Sequence, residues 1–206
     1  MKKSTSLLLD VLRFLAAMLV FIHHSEQIFR SAWLSPLASF GHDSVVFFFM
    51  LSGFVIAHTT QNKDSSLRDY AVARLARIYS VALPSLLLVS ILYAGGIALN
   101  AKDYPPLAAH QWFKLMGSSA LFLNESIDTG LVVPTNAAYW SVCFEVWYYI
   151  LFGCIFYFRG LLRIGLVVLS MLLAGLPILL MFPIWGMGYW FYYQQSTINF
   201  LSRNGS

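Results

Sequence analysis

The chain has 206 residues, of which 59% are apolar and only 11% charged, with a mean hydropathy of +0.69. A soluble domain is about 45–50% apolar and about 25% charged, so a cytosolic enzyme, a coiled coil and a disordered tail are excluded. The net charge of +4 comes with thirteen scattered basic residues, which outline no nucleic-acid groove.

Met1-Lys2-Lys3 imitates the start of a signal peptide, but Asp10 and Arg13 interrupt the apolar run that cleavage requires, so a retained first membrane helix is predicted. A span needs roughly 20 mainly apolar residues. The first runs over about 6–28, the second over about 43–61, and the third, 78–100, carries no charge. Residues 105–123 are amphipathic, with Lys114 at their centre, and read as a surface or re-entrant piece. The fourth span, about 135–158, is aromatic and carries a single charge on its apolar stretch, Glu145. From 164 to 202 there are 39 positions without a charge, enough for two spans with a turn near Pro183 and Gly186. Pro84 and Pro177 are further candidate bends. The expected fold is an all-α, polytopic membrane helical bundle of about six transmembrane helices, forming a single domain over 1–206.

Orientation follows from Lys and Arg in the loops. With a cytoplasmic N-terminus the inside holds nine of them: Lys2, Lys3, Lys63, Arg68, Arg74, Arg77, Arg159, Arg163 and Arg203. The outside holds Arg30, Lys102 and Lys114, and Arg13 lies within the first span. Cys143 and Cys154, eleven residues apart on one helix, are roughly 16 Å apart, beyond the about 7 Å reach of a disulfide.

Ionisable groups inside spans mark function by default. In the first helix Asp10, Arg13 and His24 fall on one stripe, with Arg13 and His24 differing by about 20° and separated by roughly 16 Å along the axis. That stripe is expected to face away from lipid. His23 is turned about 100° from His24. The structural alternative is that Arg13 snorkels to the inner headgroups beside Asp10. Glu145 shares a face with Ser141 and Tyr149 at i±4 and sits among Trp140, Trp147 and Tyr148. It can hold or orient a proton, or fix the bundle by a hydrogen bond. In the inner loop 66–79, Arg74 and Arg77 at i, i+3 would present two guanidinium forks on one side, suiting a phosphorylated ligand or anionic lipid. No phosphate loop, nucleophile elbow or His-Glu-x-x-His pair is present, and His23, His24 and His42 lack partners for a metal.

Four stretches in order resemble the acyltransferase 3 family of membrane-embedded enzymes. These are Leu9-Asp10-Val11-Leu12-Arg13-Phe14 with His24 eleven beyond the Arg, Gly41 onward through Val45 to Ile56, Arg74-Leu75-Ala76-Arg77-Ile78-Tyr79 with Ser80 where proline is usual, and Trp140-Ser141 through Glu145 to Tyr149. The motifs lie within 7–149. Family members run to well over 300 residues with about ten spans, so this chain is expected to lack their C-terminal spans.

The resemblance implies a multi-pass protein of the cell inner (plasma) membrane, working on polysaccharide by O-acetylation. The donor would be acyl-CoA, most of all acetyl-CoA, the acceptor a carbohydrate or lipid-linked glycan, with membrane lipid as solvent, no nucleic acid and no metal. By the same resemblance His24 would take the acceptor proton or carry the acyl group. Arg74, Arg77 and Tyr79, with Arg13 deeper, would hold the donor, and Glu145 and Ser141 would organise the acceptor side or the His. A donor held at the inner face and a His roughly 16 Å further out call for a long flexible connector, which a pantetheine arm is. Three alternatives stay open: a proton-coupled transporter, an inactive truncated fragment, and a homo-oligomer in which a second copy supplies the missing helices.

Overall fold

A computed structural model describes residues 3–30, 32–62, 66–99, 106–126, 133 and 136–204; for 3–6, 28, 62 and 196–204 only the backbone course is described. Lys2, Lys63, Lys102 and Thr135, used above for orientation and span bounds, lie outside the described residues. Every regular element among the described residues is a helix, as an all-α membrane bundle requires: α1 (Lys3–Phe29), α2 (Ser35–Ala38), α3 (Gly41–Asn62), α4 (Leu67–Ala98), α5 (Ala109–Ala120), α6 (Tyr139–Tyr157), α7 (Gly160–Ala174) and α8 (Leu176–Asn204).

Among the described residues, four helical stretches are long and apolar enough to cross a membrane: Leu7–Gln27, Ser35–Gln61, Leu67–Ala98 and Tyr139–Tyr157. The pair α7 and α8 adds a fifth if it is one broken span. The sequence reading of about six differs at this C-terminal pair. The turn falls at Gly175, with φ +80°, in a region that costs other L-residues strain, and not at Pro183 or Gly186. Pro183 lies inside α8, while Pro177 occupies its second position, where the missing N–H has no intrahelical partner to lose. That leaves α7 with 15 residues, about 22 Å of rise and short of the roughly 30 Å hydrocarbon layer.

The inner loop is shorter than the sequence reading placed it. α4 begins at Leu67, capped by Ser66, whose Oγ accepts from the Asp69 amide at 3.1 Å and donates to the Asp69 carboxylate at 2.7 Å. Arg68, Arg74 and Arg77 therefore ride on the first turns of a 32-residue helix. At about 48 Å, α4 exceeds the hydrocarbon thickness, so those turns can stand at the headgroups.

The chain packs as two compact units, Met1–Asp64 with Met181–Ser206, and Ser65–Leu180. In the first, α3 and α8 meet backbone to backbone. A Cβ on Gly53 would lie 2.0 Å from the Trp185 carbonyl, and one on Gly188 1.8 Å from that of Met50. Two reciprocal glycines thus let the helices approach closely, as small residues do in membranes.

In the second unit, α4 and α6 run antiparallel, tied by the Tyr70 hydroxyl donating to the Tyr149 carbonyl at 2.9 Å. The amphipathic segment forms α5, which lies along α4. Near its start, Trp112 stacks on Tyr93 at 4.3 Å, and at its end the Tyr79 hydroxyl donates to the Ala120 carbonyl at 3.1 Å. Fourteen residues of α4, about 21 Å, separate those contacts. The following corner places Phe122 at φ 58°. Its carbonyl accepts from Cys143 Sγ at 2.9 Å and Trp147 Nε1 at 3.1 Å. The Ser119 carbonyl accepts from the Tyr139 hydroxyl at 2.9 Å. Backbone groups buried outside a helix need such protein partners.

Candidate functional site

Two of the sequence-predicted site residues, Arg74 and Arg77, come from the first turns of α4. Arg74 is 7% exposed, and its guanidinium carbon lies 5.5 Å from the Tyr70 ring centre and 5.9 Å from that of Tyr149. Tyr70 precedes Arg74 by one helical turn, and Tyr149 reaches it from α6, so two aromatic faces receive one cation. Arg77 is exposed. The two forks therefore do not share one environment: 60° of azimuth at i, i+3 is enough to straddle the edge of the buried face.

A cavity of about 380 Å³ opens beside Arg74, lined by Tyr70, Ile78, Tyr79, Phe122, Val146 and Tyr149 among others. Arg74 is the charged residue on an otherwise apolar and aromatic wall. Tyr79 lines the same cavity but spends its hydroxyl proton on the Ala120 carbonyl.

On α6 the predicted face is only half joined. Tyr149 donates its hydroxyl to the Glu145 carboxylate one turn back. Ser141 instead donates to the Ala138 carbonyl at 2.9 Å. A chain of contacts thus leads from Arg74 through the Tyr149 ring and hydroxyl to Glu145. Tyr70 and Phe122 were missed by the sequence reading. The i−4 spacing of Tyr70 to Arg74 could have flagged the first; the corner holding Phe122 has no periodic signal.

The first unit carries His24 and Arg13. α1 is continuous from Lys3 to Phe29, so the roughly 16 Å rise between them holds. Both are half-buried, and Asp10, two turns into α1, is exposed. His23 does not point clear of His24: the rings meet edge to face at 5.2 Å. His23 Nδ1 donates to the Ala38 carbonyl at 2.8 Å, and its Nε2 accepts from the Gln27 amide at 3.1 Å. Because a carbonyl can only accept, the Ala38 contact puts a proton on Nδ1. A Cβ on Gly41 would fall 2.3 Å from His23 Cβ, so the start of α3 rests on this ring. His23 thus has a described partner at each ring nitrogen.

Among the described residues no cluster of three His, Cys, Asp or Glu side chains could hold a metal. Cys143 and Cys154 are free thiols, Cys143 buried and Cys154 half-buried. Outside the spans, Glu125 has its carboxyl pushed above the ordinary range by burial, against a smaller lowering by the Asn124 amide.

The family profile described as an acyltransferase domain matches residues 7–201. An acyltransferase named MdmB, from Streptomyces mycarofaciens, is 29% identical over 147 residues, which are 68% of this chain and 36% of that protein. The chain thus spans just over a third of the length of the curated relative it matches. No solved structure matches it.

Proposed function

The chain belongs to the acyltransferase 3 family, and on that premise we propose that it moves an acyl group, most of all acetyl, from acyl-CoA to a hydroxyl of a cell-surface sugar or lipid-linked glycan. The observation that carries the reading is the buried Arg74 on the wall of an apolar cavity, joined through Tyr149 to Glu145. Acyl-CoA is anionic at one end and apolar along its arm. Arg74 and the exposed Arg77 supply cations for its phosphates, and the apolar wall suits the rest. Tyr79 lines that wall, and Arg13 is a further cation of the donor set that the family implies.

His24 takes the proton of the acceptor hydroxyl as the oxygen attacks the thioester carbon. The new C–O bond forms, the tetrahedral oxyanion collapses, and the C–S bond breaks. The proton passes to the CoA thiolate, so no other reactant is needed. Glu145, held by Tyr149, and Ser141 orient the acceptor side.

The test is CoA release from acetyl-CoA in nanodiscs with a pool of cell-surface glycans. Release that His24→Ala abolishes, with insertion unchanged, is expected. Full release from His24→Ala would remove the catalytic assignment, and the absence of donor binding and release in the parent chain would favour the transporter or the inactive fragment.

A further inference from the structure

The cavity beside Arg74 has the proportions of a groove. Its wall on α4 runs from Leu67 to Tyr79, and its wall on α6 runs from Val146 to Phe158 at the helix end, each about 18 Å of rise. Spread over that length, about 380 Å³ gives a channel roughly 5 Å across, one column of carbon atoms at their contact distance of about 3.5–4.0 Å. Its floor is buried, formed by Tyr70, Ile78, Tyr149 and Gly153, and Phe122 lies at the far end. On the rim, Leu67, Leu75, Leu121 and Ile150 are exposed. The groove is open along one side of its unit.

The hydroxyls on this wall spend their protons inside the protein. Tyr70 donates to the Tyr149 carbonyl, Tyr79 to the Ala120 carbonyl and Tyr149 to the Glu145 carboxylate. The Arg74 guanidinium faces the Tyr70 and Tyr149 rings. What is left is apolar surface, which suits a hydrocarbon chain.

Lipid tails are as apolar as this wall, so shape alone selects no particular lipid. Charge does. Where α4 begins, Arg68 lies within about 20° of the azimuth of Leu75 and Tyr79, on the groove side of the helix. Arg159 follows Phe158 directly, and Arg163 comes one turn later. All three are exposed, and among the described residues of these turns only Asp69 is acidic. Its carboxylate already takes the Ser66 hydroxyl. A phosphate at this end meets guanidinium groups from two helices. The hydrocarbon of one leaflet, roughly 15 Å deep, is close to the length of the groove.

We propose that the groove holds one acyl chain of an anionic phospholipid, its phosphate at Arg68 and Arg159 and its chain running along the Tyr70–Tyr149 floor toward Phe122. The open side lets the second chain of the lipid stay in the bilayer. This lipid is the resident of the groove while no donor is bound, so the proposal stands whether or not the protein transfers acyl groups.

The experiment is electron paramagnetic resonance of chain-labelled lipids, with the full chain in phosphatidylcholine nanodiscs and no acyl donor. Spin-labelled phosphatidylglycerol is expected to show a motionally restricted component. Its association should exceed that of spin-labelled phosphatidylcholine about 25-fold, about fivefold from each of two guanidinium groups. Arg68→Gln combined with Arg159→Gln should remove most of that preference. Ala71→Phe leaves every arginine in place and fills the groove from a half-buried lining position, so it should abolish the restricted component. Circular dichroism equal to that of the parent establishes that each variant is folded. Equal association of the two lipids, a preference that the double substitution leaves unchanged, or a restricted component that survives Ala71→Phe would overturn the proposal. So would a groove without restricted lipid in discs that each hold two copies of the chain, which would assign it to packing between copies.

Discussion

Tyr149→Phe separates two roles that one side chain holds. The ring beside Arg74, at 5.9 Å, stays in place, while the hydroxyl that donates to Glu145 is removed. Tyr149 is 4% exposed, so water does not readily replace it. A buried hydrogen bond to a carboxyl group is worth about 1–3 kcal/mol. In a chain of this size that is roughly 2–4 °C of Tm per kcal/mol, or about 2–12 °C by tryptophan fluorescence in nanodiscs. If the bond also holds Glu145 for the reaction, the same energy is about 5- to 150-fold in kcat/KM. The KM for acetyl-CoA should stay near the parent value, since the guanidinium keeps both rings. Unchanged Tm and unchanged turnover would refute the argument that Tyr149 positions Glu145. A rise in donor KM alone would move Tyr149 to donor binding.

Gly188→Ala should cost about 1–3 kcal/mol as overpacking, because the new Cβ would meet the Met50 carbonyl and not a flexible side chain; a Tm equal to the parent would contradict the close α3–α8 contact. Glu125 carries a raised carboxyl pKa in the folded state, so its neutral form is favoured by folding. Its stabilising contribution is present below the ordinary carboxylate value of 4.5 and is lost as pH rises through the raised value. Tm measured across that window should fall less in Glu125→Gln than in the parent chain. Ser66→Ala removes the cap of α4 and should lower stability by about 1 kcal/mol, read as faster amide exchange in the first turns carrying Arg68.

The apolar runs made α1, α3, α4 and α6 legible in the sequence, because about 20 mainly apolar residues have one economical arrangement in lipid. The i, i+4 spacing of Glu145 and Tyr149 likewise led to a contact that is present. Ser141, at the same spacing, turned to the Ala138 carbonyl instead, since a hydroxyl in a first turn finds the backbone first. The run 164–202 gave no internal marker, and proline was a poor guide to its turn. Helices in membranes accommodate proline, as Pro183 in α8 and Pro84 in α4 do, whereas a glycine with positive φ ended α7. The corner 121–126 was invisible for a different reason. Its shape depends on Tyr79, Tyr139, Cys143 and Trp147 arriving from two other helices.

The most direct measurement is equilibrium binding of radiolabelled acetyl-CoA to the full chain in nanodiscs, compared with Arg74→Gln and Arg77→Gln. The account predicts saturable binding that weakens about tenfold or more in each variant, since each removes one charge-assisted phosphate contact of about 1.5–3 kcal/mol. Binding that is unchanged in Arg74→Gln, or that never saturates in the parent, would contradict the assignment of the α4 cavity to the acyl donor.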